Sequence, residues 1–254
     1  MRLKDRVAIV TGGGQGLGRV VSLKLAEEEA NVVVCDINEE SMEETAKSIK
    51  RIGRESLCVK ADVSNEEEVF DMVRKTLEVF GRIDILINNA GGGLNAPDSI
   101  EMTTIKGWNK VISVNLTGSF LCCKAVLPTM EKNRSGKIVN VSSRAGRTGT
   151  FISGPAYASA KAGILGLTRQ LAYKMGPYGI NVNAVAPGFT LTERIEKVWH
   201  SLPKENRELI INTTPLGRPA EPDEQATVIV FLCTDDARYI TGACIDVNGG
   251  SFMV

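Results

Sequence analysis

The strongest constraint in this chain is a repeated alternation. Short runs rich in Val and Ile sit at Val7–Thr11, Val32–Asp36, Ser56–Lys60, Ile85–Asn88, Lys137–Ser142, Ile180–Val185 and Ala243–Val247, and longer segments with helical spacing separate them. A strand that is apolar at consecutive positions is buried on both faces, which calls for a sheet with helices on both sides. The alternation of strand and helix makes that sheet parallel. The expected fold class is therefore α/β, a doubly wound, seven-stranded parallel sheet covered by helices on both faces. No linker, repeat or shift of composition divides the 254 residues, so one domain over 1–254 is expected. Local signals punctuate the helices. Ser64-x-x-Glu67 and Ser41-x-x-Glu44 match capping boxes, with Asn38 the other candidate start for the second helix. Gly81 falls where the Glu66–Phe80 helix should end. Pro128 is expected to stop or kink the long segment that begins near Thr104.

Composition removes several function classes. Lys+Arg and Asp+Glu balance at 30 each, so no basic field recruits nucleic acid. No uninterrupted apolar run of about 18 residues is present, so neither a spanning helix nor a membrane partner is expected. The apolar stretch Val7–Val10 is too short for the core of a signal peptide. The six cysteines form no C-x-x-C pair and read as reduced core thiols of a cytoplasmic protein. His200 is the single histidine, which excludes a His-rich zinc site, and no G-x-S-x-G elbow accompanies it for a hydrolase triad; no metal is expected.

The first strand runs directly into Thr11-Gly12-Gly13-Gly14-Gln15-Gly16-Leu17-Gly18, and an apolar helix face with Val20, Val21, Leu25 and Ala26 follows. Strand, glycine turn and helix in that order form a dinucleotide-binding context, with the pyrophosphate on the helix N-terminus. Gly12, Gln15, Gly16, Leu17 and Gly18 are the candidate contacts, and the fold becomes a single Rossmann domain. Asp36 ends the second strand 18 residues beyond Gly18. A carboxylate at that spacing accepts from the adenosine ribose hydroxyls and repels a 2′-phosphate. Neither Gln15 nor Ile37 offers a cation to such a phosphate, so the expected cofactor is NAD. The competing role for Asp36 is capping of the following helix.

Further motifs occur at Asn88-Asn89-Ala90-Gly91, Val114-Asn115-Leu116-Thr117-Gly118, Val141-Ser142-Ser143 and Tyr157-Ala-Ser-Ala-Lys161. Together with the glycine turn, and in this order, they make the chain resemble the short-chain dehydrogenase/reductase family from Lys4 to Gly250. Tyr157 and Lys161, four apart, share a helical face. A free tyrosine titrates near 10, too high for a base at neutral pH, and an adjacent ammonium together with an oxidised nicotinamide would lower it. Tyr157 is thus the candidate acid/base. The resemblance implies that Lys161 also holds the nicotinamide ribose, that Ser143 bonds the substrate oxygen, and that Asn115 interrupts its helix and links Lys161 to solvent. Ser142 at the strand end is expected to bond the backbone. The resemblance further implies an adenine contact for Asp62 and Val63, a ribose contact for Asn89, Ala90 and Gly91, and a sheet-stabilising role for Asn88. Pro187, Gly188, Phe189 and Thr190 are implied at the carboxamide, with Thr192 the alternative hydroxyl. The spacing of Tyr157 and Lys161 is narrower than in enoyl reductases of this fold.

A substrate lid is expected at about 190–216, where the alternation fails. Trp199 there fits either a pocket wall or the packing of a short helix, and Arg144, Arg147, Arg194 and Lys197 are either anion-recognising or solvated. Gly149–Pro155 is expected to form another pocket wall with an apolar floor. The implied activity is hydride transfer between a secondary alcohol and NAD, the alcohol being a 3-hydroxyacyl thioester or hydroxy acid; the alternatives are a polyol or sugar, or a non-catalytic nicotinamide-binding subunit. The implied assembly, from apolar helices around Asn115–Met130 and Ala156–Met175, is a homo-oligomer, a tetramer, with a small-molecule substrate as the other partner.

Overall fold

A computed structural model describes residues 2–93 and 97–254. Met1 and residues 94–96 of the expected 1–254 unit lie outside the described residues. The strands are β1 (Val7–Thr11), β2 (Asn31–Asp36), β3 (Ser56–Lys60), β4 (Ile85–Asn88), β5 (Gly136–Val141), β6 (Ile180–Pro187) and β7 (Cys244–Val247). They form one sheet of seven strands in the order β3-β2-β1-β4-β5-β6-β7, parallel throughout. The order reverses between β1 and β4. Past their carboxyl ends lies the crevice where open α/β sheets hold ligands.

Alternation along the strands splits the core in two. Ala8 and Val10 of β1, with Val32, Val34, Ile85 and Ile87, face α1 (Gly16–Glu27) and meet Val21 and Leu25. Val7 and Ile9, with Val33, Cys35 and Leu86, point to the other face. There α3 (Glu66–Phe80) contributes Val69 and Met72. Both sets are buried, so the strands read as unbroken apolar runs although each side chain serves one face. Full burial of each of these side chains contributes roughly 1.5–3 kcal/mol.

The helix starts repeat the sequence logic with one shift. Asn38 caps α2 (Glu39–Arg51), accepting from Ser41 N at 3.1 Å. Asn65, not Ser64, caps α3, accepting from Glu67 N and Glu68 N. The Ser64 hydroxyl instead donates to Asp62 Oδ1 at 2.7 Å. Gly81 ends α3 in the left-handed conformation, φ 70°.

The long helical segment departs from expectation. It runs as α4 (Ile105–Ile112), a π-helical stretch (Ser113–Thr117) and α5 (Gly118–Asn133). Pro128 lies inside α5 and does not stop it. The irregular turn falls instead at Asn115, whose Nδ2 donates to Val111 O at 2.9 Å. By length and composition this segment is apolar enough to cross a membrane, contrary to the sequence expectation. Its apolar residues, Cys122, Val126 and Met130 among them, are packed in the core against the sheet. α6 (Pro155–Met175) lies beside it and packs on β6. α7 (Glu193–Ser201) and α8 (Lys204–Asn212) occupy the expected lid region, and α9 (Pro222–Cys233) returns to pack on α1.

Candidate active site

A cleft of about 850 Å3 opens along the carboxyl ends of the strands. That is within the roughly 300–1,000 Å3 of small-molecule sites. Its first end is the glycine turn. Gly12 has φ +63°, and a Cβ there would come within 3.0 Å of Ala90 Cα, so only glycine fits. Gln15 precedes α1 with no side-chain cap, leaving the first N–H groups of the helix for an anion. Gly12, Gln15, Gly16 and Leu17 line the cleft. Gly18 does not: it is buried in α1 against the turn, where a Cβ would stand 2.5 Å from Asn89 Nδ2. It packs helix closely on turn.

Asp36 is buried at the end of β2 and reaches the same cleft. Its Oδ2 accepts from Gly14 N at 3.1 Å, and Oδ1 from Ile37 N and Asn38 N at 2.8 and 3.2 Å. The helix cap is Asn38, so capping does not explain Asp36. Three backbone donors use part of a carboxylate's roughly four acceptor positions, which leaves capacity for a ribose hydroxyl. The described cleft residues around it, Gln15, Gly16, Ile37, Ala61, Asp62 and Val63, include no cation. Asp62 Oδ1 closes a turn by accepting from Ser64 N at 2.9 Å, and Val63 is buried beneath the turn. These residues fit a dinucleotide: a glycine cradle that a Cβ would fill, a free helix N-terminus and a carboxylate with spare acceptors.

At the end of β4 the asparagines divide their work. Asn89 Nδ2 donates to Thr11 O and Gly12 O at 3.0 and 3.1 Å, tying β4 to the glycine turn. Its amide nitrogen is thus spent on the protein, while Oδ1 accepts no bond among the described residues, and Asn89, Ala90 and Gly91 all line the cleft. Asn88 points into the sheet and donates to Asn140 Oδ1 at 2.8 Å; Asn140 donates to Thr168 Oγ1 at 2.9 Å. This buried chain joins β4, β5 and α6. No sequence motif marks Asn140 or Thr168, polar residues buried beneath a helix.

The other end of the cleft gathers Ser143, Tyr157 and Lys161. Ser143 follows β5 and caps a short 3-10 turn, accepting from Ala145 N at 3.1 Å. Ser142 donates instead to Lys161 O at 2.8 Å, pinning α6 to β5. Lys161 is buried and donates from Nζ to Val141 O at 2.8 Å. An ammonium has three donors, so two remain for hydroxyls in the cleft. The same Nζ sits 5.6 Å from the Tyr157 ring centre. Asn115 does not line the cleft. It is fully buried behind Gly91 and clasps Gly92, accepting from its N at 2.9 Å and donating to its O at 3.0 Å.

The surroundings of Tyr157 act on its proton in both directions. Burial pushes the Tyr157 phenol above its ordinary value; the Ser143 hydroxyl and, less strongly, Arg194 pull it back. Lys161 is not what lowers it in the protein alone. Burial has brought Lys161 itself down to about 8. The ammonium remains the major form at neutral pH but is costly to keep charged.

Pro187, Gly188, Phe189, Thr190 and Thr192 line the wall after β6. Thr190 Oγ1 donates to Gly188 O at 3.1 Å, and Thr192 Oγ1 caps α7. Trp199 packs on Phe189, ring centres 5.5 Å apart, and is absent from the cleft wall. Arg147 is held by Asp246 at 3.0 Å and lies over Phe252, so it is not an anion site. Arg144 and Arg194 reach the cleft; Lys197 does not. Asp98, Lys110, Thr213, Thr214 and Ser251 also line it without any sequence signal that marked them. Ile152, Ser153 and Gly154 form part of the wall, mixing polar with apolar, where an apolar floor was expected.

Residues 12–251 match a family model described as enoyl-(acyl carrier protein) reductase. The chain is 39% identical over 250 residues to the (2S)-[(R)-hydroxy(phenyl)methyl]succinyl-CoA dehydrogenase subunit BbsD of Thauera aromatica, covering 98% of each chain. It is 37% identical over 250 residues to the 3-oxoacyl-[acyl-carrier-protein] reductase FabG of Thermotoga maritima, covering 98% of this chain and 99% of the other. A solved structure of NAD+-bound xylitol dehydrogenase matches with a TM-score of 0.94 at 31% identity, over 98% of this chain and 100% of that one. Glycine turn, sheet order and full-length similarity agree: the chain is an oxidoreductase of CH–OH groups and belongs to the short-chain dehydrogenase/reductase family.

Proposed function

We propose that this protein is an NAD-dependent dehydrogenase that oxidises a secondary alcohol to the ketone, with a 3-hydroxyacyl thioester or hydroxy acid as substrate. The observation that carries the reading is the meeting of Ser143, Tyr157 and Lys161 at one end of a cleft whose other end is closed by Asp36. When bound, the dinucleotide supplies the hydride acceptor. Tyr157 removes the hydroxyl proton, or returns it in the reverse direction. Ser143 donates to the substrate oxygen and stabilises its developing negative charge. Lys161 holds the nicotinamide ribose with its two remaining donors, and Asn115 fixes the Gly92 backbone behind it. Gly12, Gln15, Gly16 and Leu17 take the pyrophosphate; Asp36 takes the adenosine ribose; Asp62, Val63, Ala90 and Gly91 line the adenosine. Pro187, Gly188, Phe189, Thr190 and Thr192 line the carboxamide.

Three further points belong to the reading. Residues 1–254 act as one catalytic domain, with α7 and α8 as the lid over the substrate. The chain assembles with itself, as a tetramer. The compartment is the cytoplasm, a reading supported by the free thiols at all six cysteines. The thioester and hydroxy-acid class is supported by the relatives named as dehydrogenase and reductase of acyl thioesters. The three residues between Tyr157 and Lys161 favour alcohol and ketone chemistry over reduction of an enoyl double bond. A polyol is the second reading. It is favoured by the match to xylitol dehydrogenase and by Ser153 and Thr213 on the cleft wall.

The test is NADH formation at 340 nm on hydroxyacyl thioesters, hydroxy acids, polyols and aromatic carbinols, with NAD and NADP compared. Turnover with NAD on a thioester or acid is expected. Preference for NADP would overturn the reading of Asp36, and exclusive turnover of polyols would replace the substrate class.

A further inference from the structure

The described cations of the cleft are unevenly distributed. None lies around Asp36, whereas Lys110, Arg144 and Arg194 join Lys161 on the wall. Elsewhere arginines near the site have partners: Arg147 is paired with Asp246, and Arg218 with Glu224 at 2.6 Å. Among the described residues Arg144 and Arg194 pair with no carboxylate. Asp98, the acidic side chain that lines the cleft beyond the adenosine end, pairs with neither.

Arg194 is placed by the start of α7, and its guanidinium stands over Gly92. A Cβ on Gly92 would lie 3.2 Å from Nη2 and 3.4 Å from Nη1. Gly92 is the residue that Asn115 clasps, so the guanidinium sits against a fixed peptide. It is close enough to Tyr157 to favour the phenolate. Arg144 follows Ser143 directly and is partly buried, at a desolvation cost that no neighbouring carboxylate offsets. The Arg194 guanidinium, uncompensated and beside the acid/base, is suited to a planar anion, which such groups recognise in a bidentate manner, and Arg144 lines the same cleft.

We propose that the alcohol oxidised here carries a free carboxylate close to the reacting carbon, gripped by Arg194 with Arg144 as the second cation. The inference rests on the acid/base reading of Tyr157 and deepens it to a substrate class, acidic secondary alcohols. Arg144 and Arg194 are its specificity-determining residues. The rival occupant for Arg194 is the cofactor's pyrophosphate, since Thr192, two residues before it, neighbours Gly16.

The test uses the full chain with saturating NAD and pairs each 3-hydroxy acid, starting with 3-hydroxybutyrate, with its methyl ester. Expected is a kcat/KM for the acid roughly ten- to a hundredfold above the ester, the range of a charged hydrogen bond. Arg194→Gln is expected to erase that ratio by raising KM for the acid, with KM for NAD unchanged, and Arg194→Lys to restore it in part. Binding of acetoacetate to the NADH complex, followed by calorimetry, is expected to weaken in parallel. Equal turnover of acid and ester, or a rise in KM for NAD instead, overturns this proposal and leaves alcohol oxidation standing. Failure to oxidise any alcohol, with no binding of acetoacetate, overturns both.

Discussion

Gly18 and Gly16 should fail in different ways when each is replaced by alanine. Both lie in the first turn of α1. A Cβ on Gly18 would stand 2.5 Å from Asn89 Nδ2 and 2.8 Å from Gly12 C, and still nearer to Gly12 O. Two of those neighbours are backbone atoms of the turn and cannot swing aside. Overpacking of this kind costs about 1–3 kcal/mol or more. In a chain of this length that lowers Tm by about 2–4 °C per kcal/mol, so a fall of roughly 2–12 °C is expected. Asn89 would also be displaced from Thr11 O and Gly12 O, loosening the junction of β4 and the glycine turn. At Gly16 the nearest atom to a Cβ is Thr192 Cβ at 3.5 Å, an ordinary contact. The cost there is the φ of +53°, about 1–2 kcal/mol. The new methyl group, however, enters the space proposed for the pyrophosphate. Calorimetric melting and NADH fluorescence titration separate the two effects. Gly18→Ala should lose mainly stability, and Gly16→Ala mainly cofactor affinity. A Gly18→Ala protein with unchanged Tm, or a Gly16→Ala protein that binds NADH normally, would refute the reasoning.

Other consequences are open to simple assays. Asp36→Ala should lower kcat/KM for NAD by about tenfold or more and narrow the preference over NADP; unchanged discrimination would remove Asp36 from the ribose. Lys161 gives a stability-versus-pH effect of defined sign. Its folded value of about 8 lies below the ordinary 10.5, so above pH 8 the unfolded chain binds more protons and stability should rise with pH up to about 10.5. The rise attributable to this group is about 3 kcal/mol at most, and Lys161→Met should abolish it; denaturant unfolding at several pH values reads the difference. Thr168→Val should leave Asn140 Nδ2 without its acceptor beneath α6, costing about 1–3 kcal/mol in urea melts.

The fold was legible because its signals are local and repeated. β1 runs apolar into a glycine turn, and its unbroken apolar run marks burial on both faces. The same is true of Asp36, where strand end and spacing coincide. What escaped were choices between adjacent donors and the insides of helices. Asn65 caps α3 where Ser64 offered the same chemistry one residue earlier, because Ser64 is engaged by Asp62. Pro128 stays within α5 because packing of the neighbouring Val126, Leu127 and Met130 holds the helix through the missing N–H. Spacing marked Gly18 as part of the phosphate turn, but not that a glycine is also needed there because two backbones meet. The titration of Tyr157 was least legible. A sequence shows that a lysine is near, but not that burial acts on both groups.

The central claim is that Tyr157 moves the hydroxyl proton in NAD-linked alcohol oxidation. Its most direct test is turnover by Tyr157→Phe on the best alcohol of the panel, with NADH binding measured on the same preparation. Unchanged NADH affinity and a fall in kcat of about 10²–10⁴-fold, the usual contribution of a positioned acid/base, are expected. A phenylalanine variant that binds NADH and oxidises the alcohol at the wild-type rate would contradict the claim.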